Sequence, residues 1–192
     1  MGIEFELKYK ATEECQQAIQ AEYPGLWQTI AMETTYYDTP DADLSALHYT
    51  LRRRFENGVS VCTVKAPLSG AGRGEWEVNC DTIEAAVEKL CKLGAPKNLV
   101  FLTQKGLIPV CGAKFTRQAL TLANTQGVVE LALDKGILFA GQRQIPLCEV
   151  EVELKEGTPG FATGFARQLA EQYHLQPEAK SKFQRAKSLR EE

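Results

Sequence analysis

The stretch Ile3-Glu4-Phe5-Glu6-Leu7-Lys8-Tyr9 alternates strictly between apolar and charged residues. Successive side chains of a strand point to opposite faces of a sheet, so this stretch predicts a strand with one apolar and one charged face. The same alternation returns far along the chain in Glu149-Val150-Glu151-Val152-Glu153-Leu154. Two strands with acidic polar faces are therefore predicted.

The strands predicted between these two carry basic residues on their polar faces. In Leu51-Arg52-Arg53-Arg54-Phe55 two arginines share a face, and Val61-Cys62-Thr63-Val64-Lys65 ends in a lysine. An antiparallel sheet with one wet face gives the same alternation in any single strand. Like charges directly opposite one another destabilise a sheet, which favours instead a closed sheet whose charged interior holds a polyanion and its metal ions. The pattern alone leaves both architectures open.

Composition limits the possible classes of protein. The chain has 192 residues, 44% hydrophobic and 24% charged, which is typical of a soluble globular domain. A net charge of −3 gives no reason to expect nucleic acid or an anionic membrane as partner. The six cysteines form no CxxC motif and there are only two histidines, so a zinc site is not expected. No signal peptide or membrane-length apolar run is recognisable, and we expect a cytoplasmic protein.

Turn and cap signals predict one α+β domain over residues 1–192, mostly antiparallel. Strands are predicted at 3–10, 32–38, 48–56, 59–66, 73–80, 113–121, 126–134, 137–140 and 146–155. Helices are predicted over 12–22, over 82–93, from Thr158-Pro159 onward, and over about 178–190. Hairpin turns are predicted at Glu56-Asn57-Gly58 and at Asp134-Lys135-Gly136.

These elements, in this order, resemble the CYTH superfamily, also called triphosphate tunnel metalloenzymes. The resemblance rests on the following segments: Glu4-x-Glu6-x-Lys8, Tyr36-Tyr37-Asp38-Thr39, Leu51-Arg52-x-Arg54, Thr63-Val64-Lys65, Arg73-x-Glu75-x-Glu77, Glu130-Leu131-Ala132-Leu133-Asp134, Glu149-x-Glu151-x-Glu153 and Ser181-Lys182. It is closest to bacterial inorganic triphosphatases whose larger members add a helical CHAD domain, and we expect a stand-alone CYTH domain. The resemblance implies an eight-stranded antiparallel β-tunnel with helices packed outside.

The resemblance also implies roles for the charged residues. Expected catalytic residues are Glu4, Glu6, Lys8, Glu149 and Glu151. Expected substrate-binding residues are Lys8, Arg52, Arg54, Lys65, Arg73, Glu75, Glu77, Arg117 and Lys182. Expected ligands of two Mg²⁺ or Mn²⁺ ions are Glu4, Glu6, Glu130, Asp134, Glu149, Glu151 and Glu153. Carboxylates suit hard divalent cations, and the planar fork of arginine matches phosphate oxygens.

The function implied is metal-dependent hydrolysis of inorganic triphosphate to diphosphate and phosphate, with a small-molecule triphosphate as the partner. Thiamine triphosphatase and class-IV-type adenylate cyclase are alternatives of the same chemistry, and a non-catalytic polyphosphate- or nucleotide-binding module is an alternative of another class. An organic substrate needs an aromatic or apolar platform at a tunnel mouth. The aromatic candidates are Trp27, Tyr36, Tyr37 and Tyr49.

Overall fold

A computed structural model describes residues 5–68 and 73–190, and the backbone of residues 2–3. The strands are β1 (Gly2–Ile3), β2 (Glu6–Lys10), β3 (Gln28–Asp38), β4 (Thr50–Glu56), β5 (Val59–Pro67), β6 (Arg73–Asn79), β7 (Ile108–Asn124), β8 (Gly127–Ala140), β9 (Arg143–Gly157) and β10 (Gln176–Pro177). The helices are α1 (Glu13–Glu22), α2 (Asp43–Ala46), α3 (Ile83–Lys92), α4 (Asn98–Leu102), α5 (Pro159–Tyr173) and α6 (Lys182–Ser188), with a 3₁₀ turn at Thr103–Lys105.

The strands form one antiparallel sheet in the order β1-β6-β5-β4-β3-β7-β8-β9-β2-β10. β1 pairs with β6, whereas β2 pairs with β9 on the other side of the sheet. Because β1 and β2 follow one another in the same N-terminal segment, this segment joins the two sides of the sheet. The sheet therefore curls around a cavity of about 1070 Å³ that β2–β9 line. The predicted α+β antiparallel tunnel is confirmed: the eight strands β2–β9 line it, and the two-residue strands β1 and β10 bring the described sheet to ten strands rather than the predicted eight.

The apolar faces of the strands point outward, where helices cover them. One hydrophobic cluster lies between β4–β6 and helices α2–α4, with Leu51 and Val64 fully buried against Leu90. A second lies between β8–β9 and helices α1 and α5, around Val150 and Leu169. Since successive side chains alternate, burying these faces outside turns the charged faces inward.

A third hydrophobic cluster lies inside the sheet, at one end of the tunnel. Its members come from β3, β7, β8 and β9 and from α6: Met32, Tyr36, Val110, Cys111, Ala113, Phe115, Leu138, Ala140, Leu147, Ala186 and Leu189. The ring of Phe183 also packs there, with its centroid 5.1 Å from that of Tyr36. Helix α6 thus differs from the helices packed outside, because it fills one end of the tunnel.

Helix starts follow the side-chain caps that the sequence predicts. Thr12, Thr82 and Thr158 each accept a hydrogen bond from a backbone N–H in the first turn of α1, α3 and α5. α6 begins at a capping box formed by Ser181 and Gln184, and it is shorter than the predicted 178–190. A capping box satisfies donors that the first turn of a helix leaves unpaired.

The two predicted hairpins have different outcomes. Asn57 and Gly58 connect β4 to β5 with positive φ angles of 49° and 86°, as a tight two-residue turn requires. The turn predicted at Asp134-Lys135-Gly136 is wrong, because β8 runs without a break through this segment. A Cβ atom on Gly136 would lie 2.2 Å from the carbonyl oxygen of Lys114, so the glycine permits close approach of β7 and β8.

Other boundaries differ because long-range pairing decides them. The N-terminal strand predicted over 3–10 is divided into β1 and β2, which pair with different neighbours. The strands predicted at 126–134 and 137–140 are both parts of β8, and that predicted at 113–121 extends over 108–124. The short elements α2, α4 and β10 were not predicted.

Candidate active site

One face of β9 runs from a closed end of the cavity to an open end. Side-chain exposure rises along it, from 0% at Glu149 and 7% at Glu151 to 26% at Glu153 and 39% at Lys155. α6 packs at the Glu149 end. We call that end the floor and the Lys155 end the mouth.

Three carboxylates and three cations meet at the floor. We call this set the floor cluster: Asp134, Glu149, Glu151, Arg117, Lys182 and Arg185. One oxygen atom from each carboxylate lies within 4.8 Å of the others, and all three residues are buried. The formal charges of the six side chains cancel, which buried ionic groups require if they are to be tolerated.

The ammonium of Lys182 is shared by the three carboxylates. Its Nζ atom lies 2.8 Å from Asp134 Oδ2 and 2.7 Å from Glu151 Oε1, and it also contacts Glu149. Burial alone would lower the pKa of Lys182, but the three carboxylates outweigh it and raise this pKa above its ordinary value. The lysine is therefore a permanent cation at the centre of the floor cluster.

Arg117 on β7 connects the floor cluster to the cavity. Its guanidinium donates from Nε and Nη2 to the two carboxylate oxygens of Asp134, each over 2.8 Å, and it also contacts Glu151. Although burial opposes it, contact with Lys182 and Arg117 holds the pKa of Glu151 well below its usual range. Glu151 is thus ionised, and its orientation is fixed from two sides.

A second group of carboxylates lies nearer the mouth. Glu6, Glu153 and Glu130 stand directly opposite one another on β2, β9 and β8, and we call them the mouth row. Lys8 lies 3.2 Å from Glu6, and Lys155 lies 2.8 Å from Glu153. Each carboxylate of the row is about one quarter exposed, so water and dissolved ions reach it.

Strands β4–β6 form the basic wall of the cavity, which we define by Arg52, Arg54 and Lys65. Glu75 lies between two of them, with its Oε1 atom 3.3 Å from Arg52 Nη2 and 3.6 Å from Lys65 Nζ. Arg54 contacts Glu56. Burial, and then the neighbouring charge of Arg52, lower the pKa of Arg54, so an anion beside these guanidiniums would relieve their repulsion.

Two other residues of the predicted site contact protein groups on the basic side. Glu77 accepts a hydrogen bond of 3.2 Å from the buried hydroxyl of Thr63. Arg73 lines the cavity, but its Nη2 atom also donates to the backbone oxygens of His48 and Lys65, over 2.9 and 3.3 Å. These contacts connect β6 to the rest of the wall.

The structure brings the predicted site residues together. Each one in the described part of the chain lines the cavity or belongs to the floor cluster. Glu4 lies outside the described residues. Sequence reasoning missed Lys155, which continues the alternation of the β9 glutamates, and Arg185, which follows Lys182 by three residues on the same helical face.

The four aromatic residues considered as a platform for an organic group have other surroundings. Trp27, Tyr37 and Tyr49 pack against the outer hydrophobic clusters. Tyr36 lines the cavity, but its side chain is almost fully buried against Phe183. None of the four presents an exposed ring to the cavity.

A sequence profile of the CYTH domain matches residues 2–186. The chain belongs to the CYTH family. Over 133 residues it is 30% identical to an inorganic triphosphatase of Haemophilus influenzae, a match that covers 68% of this chain and 38% of the relative. The match therefore spans well under half the length of that relative.

Two solved structures have a similar fold over most of their length. A Hippeastrum protein, described as a putative adenylyl cyclase with a dominant triphosphatase activity, has a TM-score of 0.69 at 16% identity, covering 98% of this chain and 96% of the other. A Pyrococcus horikoshii protein has a TM-score of 0.65 at 21% identity, covering 98% and 99%. At these identities the likeness shows the fold.

Among the described residues, no helix of this CYTH chain has the length and apolar character needed to cross a membrane.

Proposed function

We propose that this protein is a metal-dependent hydrolase of inorganic triphosphate, which it cleaves to diphosphate and phosphate. The observation that carries the proposal is a single cavity in which the basic wall faces the carboxylates of the mouth row and the floor cluster. Guanidinium and ammonium groups bind phosphate oxygens, and carboxylates bind the cations that accompany a polyphosphate. The similarity to the Haemophilus triphosphatase supports the same reaction.

The mouth row fits a divalent cation better than the floor cluster does. Its carboxylates lie on neighbouring strands and are reached by solvent, whereas those of the floor cluster are buried around the ammonium of Lys182. Glu6, Glu130 and Glu153 would hold Mg²⁺ or Mn²⁺, and Glu4, which precedes Glu6 in the same sequence motif, would extend the set. A bound divalent cation supplies Lewis acidity, which neutralises phosphate oxygens and makes a water molecule a better nucleophile.

The remaining steps belong to side chains of the chain. Arg52, Arg54 and Lys65 bind the phosphate oxygens and neutralise the charge that develops on the diphosphate leaving group. A water attacks the terminal phosphorus in line as the bond to the bridging oxygen breaks, and the water's proton passes to solvent or a carboxylate. Lys8, on the acidic side, binds the opposite edge of the substrate. No covalent enzyme intermediate is required.

The four aromatic candidates give no support to an organic substrate, although Trp76, Phe115 and Phe183 also line the cavity. A thiamine or adenosine group needs an apolar surface to rest on, and none of the four aromatic candidates offers an exposed ring there. A non-catalytic binding module would gain nothing from carboxylates facing an anion, since they oppose its binding unless a metal ion intervenes.

The test compares substrates and metals. Purified protein should release phosphate from inorganic triphosphate much faster than from thiamine triphosphate or ATP, should form no cyclic AMP, and should lose activity when divalent ions are chelated. The matched variants are Glu6→Gln, inside the cavity, and Glu33→Gln, an exposed residue of β3; the first should lower kcat strongly and the second should leave it unchanged. Phosphate release that persists fully in excess chelator would refute the metal requirement, and cyclic AMP formation would refute the assigned reaction.

A further inference from the structure

Lys155 reaches the mouth of the cavity through an irregularity in the sheet. Val129 of β8 pairs with Leu154, whereas Val128 pairs with Glu156, so Lys155 is the extra residue of a β-bulge. Bulges redirect side chains and are frequent beside active sites. The side chain of Lys155 lines the cavity.

The ammonium of Lys155 lies over the mouth row. Its Nζ atom is 2.8 Å from Glu153 Oε2 and 3.8 Å from Glu130 Oε2. Its side chain is 39% exposed, whereas six other cavity cations are between 12% and 21% exposed. Those six are Lys8, Arg52, Arg54, Lys65, Arg117 and Lys182. Lys155 is the most exposed of these seven cations. Arg73 also lines the cavity and is exposed, but its guanidinium donates to the backbone oxygens of His48 and Lys65.

We propose that Lys155 selects the substrate by binding the phosphate group that lies at the mouth. The inference rests on the proposed function and names the residue that determines which triphosphate is preferred. A free terminal phosphate carries between one and two negative charges at neutral pH, since its last ionisation lies near pH 6, whereas a phosphate esterified within a nucleotide chain carries one. Coulombic attraction to one ammonium grows with that charge. Lys155 therefore favours a chain that ends at the mouth in a free phosphate over one that continues into an organic group.

The position of the acidic residues strengthens the inference. Phosphate at the mouth would approach the carboxylates of Glu130 and Glu153, which repel it wherever a bound cation does not neutralise them. Lys155 contacts both, so its charge offsets their repulsion at the place where the substrate enters. Loss of the lysine should therefore weaken the binding of a free terminal phosphate more than that of an esterified phosphate, because the free phosphate carries the larger charge.

The test is Lys155→Gln, with Lys135→Gln as the matched control. Lys135 also forms a carboxylate ion pair, 2.7 Å from Glu13, but it does not line the cavity, so both variants lose one positive charge and one ion pair. Equilibrium binding of inorganic triphosphate and of ATP is measured by calorimetry with Ca²⁺, beside kcat and KM with Mg²⁺. We expect Lys155→Gln to weaken the binding of inorganic triphosphate about three- to tenfold, because a half-exposed charged contact is lost. The binding of ATP should weaken less than about twofold.

The outcomes distinguish selection of inorganic triphosphate by Lys155 from a general attraction of the lysine for any anion. Lys155→Arg should restore the preference, and Lys135→Gln should change neither ligand. Equal weakening of both ligands by Lys155→Gln, or no weakening, overturns the assignment. If the wild-type protein fails to hydrolyse inorganic triphosphate, the proposed function falls, and the binding ratio of the two ligands still decides the role of Lys155.

Discussion

Replacing Lys182 with methionine removes the cation shared by the three carboxylates of the floor cluster. The side chain is 12% exposed, and its ammonium contacts Asp134, Glu149 and Glu151. Removing one partner of a buried ion pair costs about 3–5 kcal/mol, because the remaining charge is left uncompensated. Arg117 and Arg185 remain as counter-ions, so we expect the lower end, about 3 kcal/mol.

The loss of stability in Lys182→Met should depend on pH in a defined direction. In the wild-type protein the pKa of Glu151 is lowered, so its contribution to stability is present above the unfolded value of about 4.3 and is lost as the pH falls through the folded value. In Lys182→Met the carboxylates gain less from ionisation and bind a proton more readily. The difference in stability between the two proteins should therefore be fully present at neutral pH and should shrink as the pH falls below about 4.3 toward the lowered folded value of Glu151. The raised pKa of Lys182 gives the wild type stability that is lost only at strongly alkaline pH.

Urea unfolding at constant ionic strength measures this effect. With a denaturant slope of about 2 kcal/mol per molar, a loss of 3 kcal/mol moves the midpoint down by about 1.5 M at pH 7.5. Lys135→Met, whose lysine forms an exposed ion pair with Glu13, should leave the midpoint nearly unchanged. A Lys182→Met midpoint equal to that of the control at pH 7.5, or a difference that does not change with pH, would refute the account of the floor cluster.

Three further predictions concern the wall, the mouth row and the sheet. Arg52→Ala should raise KM for inorganic triphosphate about tenfold or more in steady-state assays, whereas the outward-facing Arg53→Ala should not. Glu6→Gln should mainly lower kcat and raise the Mg²⁺ concentration needed for half-maximal activity; an unchanged metal dependence would contradict its place in the mouth row. Gly136→Ala should destabilise the protein by about 1–3 kcal/mol, since its Cβ would lie 2.2 Å from a backbone oxygen of β7, whereas Gly164→Ala, in open space on α5, should not destabilise it in thermal melts.

Strand identity and the inward face were predictable because both depend on alternation over a few residues. The acidic faces of β2 and β9 and the basic face of β4 follow from a period of two. Alternation alone left open whether the sheet is closed, and the resemblance to the CYTH family then predicted the tunnel. Asn57-Gly58 was predictable for the same local reason, since few residues adopt positive φ easily.

The sequence did not reveal contacts that depend on distant partners. Gly136 resembles a turn residue locally, and only the approach of β7 shows that it belongs to a strand. Arg185 contributes to the floor because α6 enters the tunnel, and Lys155 faces the mouth row because of a bulge in pairing with β8. Nothing within a few residues of these positions specifies either arrangement.

Asp38 illustrates how a motif residue can serve structure. Its carboxylate accepts hydrogen bonds from the backbone N–H groups of Thr39, Leu44 and Ser45, over 2.8, 2.9 and 3.2 Å. These bonds fix the loop that leads from β3 into α2. The segment Tyr36-Tyr37-Asp38-Thr39 therefore contributes a buried loop anchor.

The floor cluster and the mouth row differ in how readily their carboxylates can exchange one cationic partner for another. The floor cluster is buried and neutral within itself, and opening it would expose an uncompensated charge. The mouth row is solvated, and its lysines are paired with carboxylates that water already reaches. Binding of a polyanion with its cations requires ion pairs that can be replaced, so the proposed function assigns it to the mouth row and the basic wall. In that proposal the floor cluster acts through Arg117 and Glu151, which it holds in one orientation at the base of the cavity. Catalysis by positioned charges depends on such fixed groups, because they need no reorganisation when charge develops on the substrate.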